Sequence, residues 1–218
     1  MRRASADSNQ GDPRPACSSA SLGYVFVHIP KCAGTSIHRA LGGIHERRSL
    51  RIEGRKYHKH AKAAEVRRVL GPAWDNAFKF SFVRNPWDLM VSSYHWWLAR
   101  AGDFPRLTSH VSRIRELGSF SAFISSKYGS KMLNEQPGRD LLEWVSDGTG
   151  IIVDFVGKYE NLDEDWKHVC QALGVEPVVL SRENQVPREN YRSFYDETSR
   201  GLVANRFARS IEVFGYQF

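Results

Sequence analysis

Apolar residues along the chain group into two short strand-like runs, and a helix-like pattern follows each of them. The first run, Tyr24–Val27, is rich in Val, Phe and Tyr, and apolar positions recur with helical spacing at 37, 40 and 41. The second run, Phe78–Val83, alternates, and a helical pattern follows from Pro86 to about Arg100. Strands that alternate with helices predict an α/β fold with a mostly parallel central sheet.

Further helices are predicted where apolar residues recur every three or four positions, at about residues 63–70, 109–117, 119–128, 163–173 and 197–214. The first of these is expected to stop at Gly71-Pro72 and the fourth at Gly174. The last is expected to bury Leu202, Val203, Phe207, Ile211 and Phe214. Between two apolar runs, residues 147–150 (Asp-Gly-Thr-Gly) predict a hairpin turn.

Residues 28–36 (HIPKCAGTS), which we call the Lys31 loop, join the first strand to the first helix. Gly34 is expected either to take a positive φ or to let a ligand approach the backbone closely. Thr35 and Ser36 favour a helix start, and the first amides and the dipole of a helix attract anions. Because Lys31 adds a full positive charge, the loop predicts a phosphate-binding site.

The loop differs from a Walker A motif, in which the lysine directly follows the second glycine. Here Thr35 occupies that position, and Lys31 precedes Gly34 by three residues. Pro-Lys-x-x-Gly-Thr-Ser after a strand resembles the 5′-phosphosulfate-binding loop of sulfotransferases that use 3′-phosphoadenosine 5′-phosphosulfate (PAPS). The resemblance implies that this donor is held by Lys31, Cys32, Ala33, Gly34, Thr35 and Ser36.

A second element lies at the end of the second strand, where Phe-Val-Arg-Asn-Pro-Trp (residues 82–87) is followed by Val-Ser-Ser-Tyr (residues 91–94). Asn85 suits a helix N-cap and Pro86 the first helical position, with Asp88 close behind. The segment resembles the 3′-phosphate-binding element of the same superfamily. The resemblance implies that Arg84 and Ser92 bind the 3′-phosphate, and a guanidinium suits bidentate phosphate binding.

A third element, Tyr-His-Lys-His (residues 57–60), lies in the strongly basic stretch 46–68. It resembles the Tyr-His-x-His segment of the heparan 2-O-sulfotransferase branch. Carried over, His60 is the general base and His58 has a supporting catalytic role. Imidazole suits this task because its ordinary pKa near 6.5 leaves a neutral acceptor at cellular pH.

The C-terminal half carries the same resemblance in residues 154–162 (DFVGKYENL) and 195–216, so it covers about residues 24–218. It implies a P-loop-NTPase-like three-layer sandwich. Residues 186–190 depart from the family pattern, and contacts of Arg188 or Arg192 with the donor stay open.

Composition and length predict one α/β domain over residues 23–218 after a disordered polar tail, residues 1–22, and the resemblance implies that this is a sulfotransferase domain. The chain has 218 residues, 41% of them hydrophobic, and no apolar run approaches a membrane span or the core of a signal peptide. A cytoplasmic protein without a membrane span is therefore expected. Three dispersed cysteines predict neither a disulfide framework nor a zinc site, and no metal is expected.

The resemblance implies a reaction that moves a sulfuryl group from PAPS to a hydroxyl of a carbohydrate or small molecule. A formal charge of +7 favours an anionic partner, such as an acidic sugar. One alternative is a P-loop kinase, because the apolar run 151–153 ends in Asp154, a candidate magnesium ligand. The other is a non-catalytic nucleic-acid-binding module, which a pI near 9.4 permits, but no recognised nucleic-acid motif occurs and no nucleic acid is expected as a partner.

Overall fold

The computed structural model describes residues 23–42, 49–52, 55–58, 60–99, 108–134, 139–181 and 188–218. The predicted tail, residues 1–22, lies outside the described residues, and so do parts of the basic stretch 46–68. The predicted boundary between tail and domain therefore stays a prediction.

Five strands and ten α-helices are found in the described part of the chain. The strands are β1 (Tyr24–Val27), β2 (Ser49–Ile52), β3 (Arg55–His58), β4 (Phe78–Val83) and β5 (Phe155–Lys158). The helices are α1 (Gly34–Ala40), α2 (Ala63–Leu70), α3 (Pro86–Ala99), α4 (Thr108–Glu116), α5 (Phe120–Ile124), α6 (Lys127–Asn134), α7 (Leu142–Val145), α8 (Leu162–Leu173), α9 (Glu197–Arg206) and α10 (Ala208–Phe214).

A three-stranded parallel sheet of order β1-β4-β5 forms the centre, and helices flank it. The middle strand, β4, is buried along its second half because it has a neighbour on each side and helices against it, and Phe80 and Phe82 are fully buried. Ser81 is tolerated there because its hydroxyl donates to the carbonyl of Val27, 2.8 Å away. The predicted α/β fold with a parallel sheet is confirmed, and β2 and β3 form a separate antiparallel hairpin.

Most predicted helices occur within one or two residues of the expected bounds, but two predictions were too long. The helix expected over 119–128 is two helices, since the hydroxyl of Ser126 accepts from the amides of Tyr128 and Gly129 and starts a new helix there. The last predicted helix breaks at Phe207, whose φ of −108° is not helical. The expected burial of Leu202 was wrong: it is 38% exposed, because Val203 and Phe207 occupy the core side.

The expected hairpin at residues 147–150 is reduced to a tight turn. Ser146 and Ile151 form a single antiparallel bridge, and the amide of Asp147 donates to the carbonyl of Gly150. The apolar residues before the turn belong to α7, which packs into the core with Trp144 fully buried, so they do not continue as a strand.

The carboxyl ends of β1 and β4 lie side by side, with Val27 in register with Ser81. The Lys31 loop therefore starts next to Arg84, at the edge where ligands bind in open parallel sheets. None of the helices in the described residues is long and apolar enough to cross a membrane.

Candidate functional site

The backbone of the Lys31 loop is strained at two positions, neither of which is the glycine. Lys31 and Ala33 have φ values of 67° and 60°, in the left-handed region that costs a residue with a Cβ about 1–2 kcal/mol. The sequence suggested a positive φ or a close approach at Gly34, and Gly34 instead begins α1 with an ordinary φ. One of the two strained residues is therefore the one that carries the positive charge.

Gly34 is required by a close approach of the protein itself. A Cβ at this position would lie 1.9 Å from Nε2 of His28, far inside van der Waals contact. The His28 ring is 4% exposed, stacks on Phe26 at 5.7 Å and contacts His38 at 5.1 Å. A buried ring held in this way cannot swing aside, so His28 and Gly34 interlock the end of β1 with the start of α1.

Cys32 and Ser36 lie in the loop with their side chains buried, 1% and 6% exposed. Burial raises the pKa of the Cys32 thiol well above its ordinary value, although the charges of Arg84 and Lys31 act in the opposite direction. The thiol donates to the carbonyl of Pro30 at 3.6 Å. Any contact of Cys32 with a ligand would therefore run through its backbone. Ala33 and Thr35 are partly buried.

Arg84 connects the loop to helix α3. Its Nη1 donates to the carbonyl of Lys31 at 3.0 Å and to the hydroxyl of Ser92 at 3.2 Å. The structure thus brings Lys31, Arg84 and Ser92 together, as the sequence predicted. The Arg84 side chain is 8% exposed, and its guanidinium lies 3.8 Å from the centre of the Tyr159 ring. These contacts hold the planar guanidinium in one orientation.

Asp88 joins this group, which sequence reasoning missed. Its carboxylate accepts from Nε of Arg84 at 2.7 Å and pairs on its other oxygen with Arg188. Spacing could have revealed the first contact, because residues 84, 88 and 92 are four apart and face one side at a helix start. The approach of Arg188, 100 residues away, could not be read from spacing.

The start of α3 is fixed by the end of the chain. The side-chain oxygen of Asn85 accepts from the amide of Trp87 at 3.1 Å, which confirms the predicted N-cap. Its side-chain amide donates to the carbonyl of Gln217 at 2.8 Å, and its backbone amide donates to Glu160 at 2.7 Å. These bonds hold Arg84, the preceding residue, in a rigid setting.

His60 lies beside the strand that leads into the Lys31 loop. Its ring centre is 4.4 Å from that of His28, and its Nδ1 is 3.1 Å from the carbonyl oxygen of His28. A carbonyl can only accept, so Nδ1 carries the proton and Nε2 carries the lone pair in the neutral ring. The exposed His58 accepts from the backbone amide of His60 at 3.1 Å. Over the described ranges, no three His, Cys, Asp or Glu side chains form a group able to hold a metal ion.

Trp96, one turn after Ser92 on α3, was not singled out from the sequence. Its ring centre is 5.1 Å from the ammonium nitrogen of Lys31, within cation–π range. No sequence signal points to this contact, because a tryptophan in an apolar helix is normally expected in the core.

Asp154, on which the kinase alternative depends, lies at the other end of the sheet. It precedes β5, accepts from the amide of Lys79 at 2.7 Å and pairs with the Lys79 ammonium at 3.0 Å. A Walker B aspartate follows its strand, at the edge that carries the phosphate loop. Asp154 therefore serves a structural role.

Comparison with known proteins agrees with this geometry. The family model described as "Sulfotransferase family" matches residues 19–217. An uncharacterized protein of Archaeoglobus fulgidus is 31% identical over 125 residues, which are 57% of this chain and 91% of that protein. No solved structure gives a significant match. The narrower resemblance to the heparan 2-O-sulfotransferase branch stays a prediction. Because the family match runs from before the first strand to the last residue but one, the chain belongs to the sulfotransferase family.

Proposed function

We propose that the protein transfers a sulfuryl group from PAPS to a hydroxyl group of a carbohydrate or small-molecule acceptor. The observation that carries this proposal is the position of Arg84, which contacts both the Lys31 loop and Ser92. One guanidinium thus joins the two segments that would hold the 5′ and 3′ ends of the donor.

The charges around this arginine fit a donor with several phosphate and sulfate oxygens. Lys31, Arg84 and Arg188 supply three positive charges, and Asp88 and Glu160 supply two negative charges. Arg84 and Ser92 would bind the 3′-phosphate, with Arg188 as an added ligand, since a guanidinium shared with one carboxylate has further N–H groups to offer. The backbone of residues 31–36 and the Lys31 ammonium would bind the 5′-phosphosulfate.

In the proposed reaction, PAPS supplies the sulfuryl group. The acceptor oxygen forms a bond to sulfur while the bond from sulfur to the 5′-phosphate oxygen breaks, in line. Lys31 neutralises the charge that grows on that leaving oxygen, and a cation beside it in a site that excludes water is worth more there than one in water. The products are a sulfate ester and 3′-phosphoadenosine 5′-phosphate (PAP).

His60 would take the proton of the attacking hydroxyl. The bond from its Nδ1 to the carbonyl of His28 leaves the lone pair on Nε2, which is the form that a general base requires. His58 would support it by accepting a hydrogen bond from the backbone amide of His60, which holds the turn between β3 and α2. The proposed acceptor is an anionic sugar, since the stretch that carries both histidines is rich in Arg and Lys.

The test is calorimetric titration with PAP in the presence of a chelator, beside ATP with magnesium. We expect PAP to bind without metal and ATP to bind weakly. Stronger binding of ATP with magnesium would contradict the proposal and favour a nucleotide-dependent kinase. If neither ligand binds, the donor assignment is wrong.

Two variants locate the PAP site. Arg84→Ala should weaken PAP binding by about 10- to 150-fold, as expected when a charged hydrogen-bonding partner worth 1.5–3 kcal/mol is lost. Arg113→Ala removes the same charge from an exposed arginine on α4, 68% exposed, and should leave PAP binding unchanged. Equal losses in the two variants would mean that only net charge matters.

A further inference from the structure

We infer that Trp96 holds the ammonium of Lys31 against helix α3 and releases it when the donor binds. Trp96 is thus a positioning residue for Lys31. This inference rests on the proposed function of Lys31 and adds a second conformation of its side chain to it.

The contact is part of a two-point attachment of Lys31. The backbone is held because its carbonyl accepts from Arg84 at 3.0 Å, immediately before α3. The side chain is held because its ammonium lies 5.1 Å from the ring centre of Trp96, within α3. The left-handed φ of 67° sets the direction in which the side chain leaves the loop. The backbone and the ammonium of Lys31 are therefore both held by α3 and the residues just before it.

While the Lys31 ammonium lies on the face of the Trp96 ring, it does not contact the donor. The cation–π attraction stabilises this orientation, and a bound phosphate competes for the same charge with a stronger, charge-assisted interaction. Donor binding must therefore exchange the ring for an anionic oxygen. The attraction of the ring lowers the affinity for the donor by roughly 2- to 30-fold, the range expected of a cation–π contact.

The neighbouring Trp97 provides a matched control. It has the same size, lies on the same helix and contacts Trp96 at 5.0 Å with the rings nearly perpendicular. A change that depends on loss of indole packing from α3 should follow the loss of either ring. A change that depends on the Lys31 contact should follow the loss of Trp96 alone.

The first experiment observes Lys31 without any ligand. Lysine amines of the full chain are methylated reductively with ¹³C-formaldehyde, which keeps their positive charge, and Lys31→Arg identifies the Lys31 signal. We expect the N-methyl signal of Lys31 to be shifted upfield by the Trp96 ring, to lose that shift in Trp96→Leu and to keep it in Trp97→Leu. An unshifted signal in the wild-type protein, or one that Trp96→Leu leaves in place, overturns the inference.

The second experiment adds PAP. We expect the Lys31 signal to leave its upfield position on binding, and we expect Trp96→Leu to bind PAP about 2- to 30-fold more tightly than the wild type. Trp96→Phe keeps an aromatic face and should lie between the two, which guards against a misfolded leucine variant. Unchanged or weaker PAP binding in both Trp96 variants, with a native circular dichroism spectrum, contradicts the release step.

The two proposals fail in different ways. If PAP does not bind to the wild-type protein, the proposed donor is wrong, and the release step falls with it. If PAP binds to the wild-type protein while the Lys31 signal stays upfield, the proposed donor stands and this inference alone is overturned.

Discussion

Substituting Gly34 by alanine should damage the protein through His28 and not through the backbone. The new Cβ would lie 1.9 Å from Nε2, 2.1 Å from Cδ2 and 2.5 Å from Cε1 of the His28 ring, which is packed against Phe26, His38 and His60. Overpacking a filled core site costs about 1–3 kcal/mol. For a chain of this length we expect the melting temperature to fall by roughly 2–12 °C.

The assay is a double-mutant cycle followed by thermal unfolding and circular dichroism. His28→Ala should destabilise the protein by itself, because it removes a buried ring. In that background, Gly34→Ala should cost nothing, or should stabilise by up to about 1 kcal/mol, since alanine is a better helix former than glycine. If Gly34→Ala costs the same with and without the His28 ring, the steric explanation is refuted.

Gly201 is the matched control for this cycle. It also lies in a helix, α9, but a Cβ there would meet nothing within 4 Å. Gly201→Ala should therefore raise the free energy of unfolding by about 0.5–1 kcal/mol. A lower free energy of unfolding for Gly201→Ala would mean that a Cβ at Gly201 meets other atoms, which would contradict the steric explanation.

The remaining predictions concern the reaction and the stability of the fold. Lys31→Ala should lower turnover about 10²- to 10³-fold, measured as transfer of labelled sulfate from PAPS to an acceptor panel, with a much smaller change in PAP affinity; the opposite pattern would deny it a catalytic role. His60→Ala should lower turnover by about 10²–10⁴ while PAP binding stays intact, and near-normal turnover would contradict its role as base. Gly129→Ala should destabilise the protein in denaturant unfolding, because its Cβ would meet the backbone oxygen of Ile124 at 2.3 Å; an unchanged midpoint would contradict this. Burial, and then the charge of Arg188, lower the pKa of His95 below its ordinary value near 6.5. The folded state thus binds a proton less readily than the unfolded state, so the contribution of His95 to stability is full above about pH 6.5 and is lost as the pH falls below it. His95→Asn should flatten this dependence in denaturant unfolding, and an unchanged slope would contradict the assignment.

The sequence predicted the local part of the site, because the relevant signals lie within a few residues of one another. The lysine, the small residues after it and the helix start appear in one stretch. Arg84 and Ser92 are only eight residues apart, on either side of the start of α3 at Pro86. Strands β1 and β4 and most helices were predicted for the same reason, since apolar periodicity records which face of each element is buried. Strands β2, β3 and β5 were not predicted. The helix breaks at Ser126 and Phe207 were missed, because the apolar periodicity continues past both of them. The Ser126 hydroxyl starts a new helix, and the backbone of Phe207 is not helical.

Tertiary structure alone decided how the separate stretches meet. The sequence suggested that Gly34 takes a positive φ or lets a ligand approach, whereas the folded chain gives it an ordinary φ and places the ring of His28 against it. Asp88 and Arg188 are paired although 100 residues separate them, and the Trp96 ring meets an ammonium that belongs to another element. Such contacts depend on the register of β1 with β4 and on the return of the C-terminal segment to α3. A periodic pattern states which face of an element is buried, and the distance between two elements is fixed only when the whole core is packed.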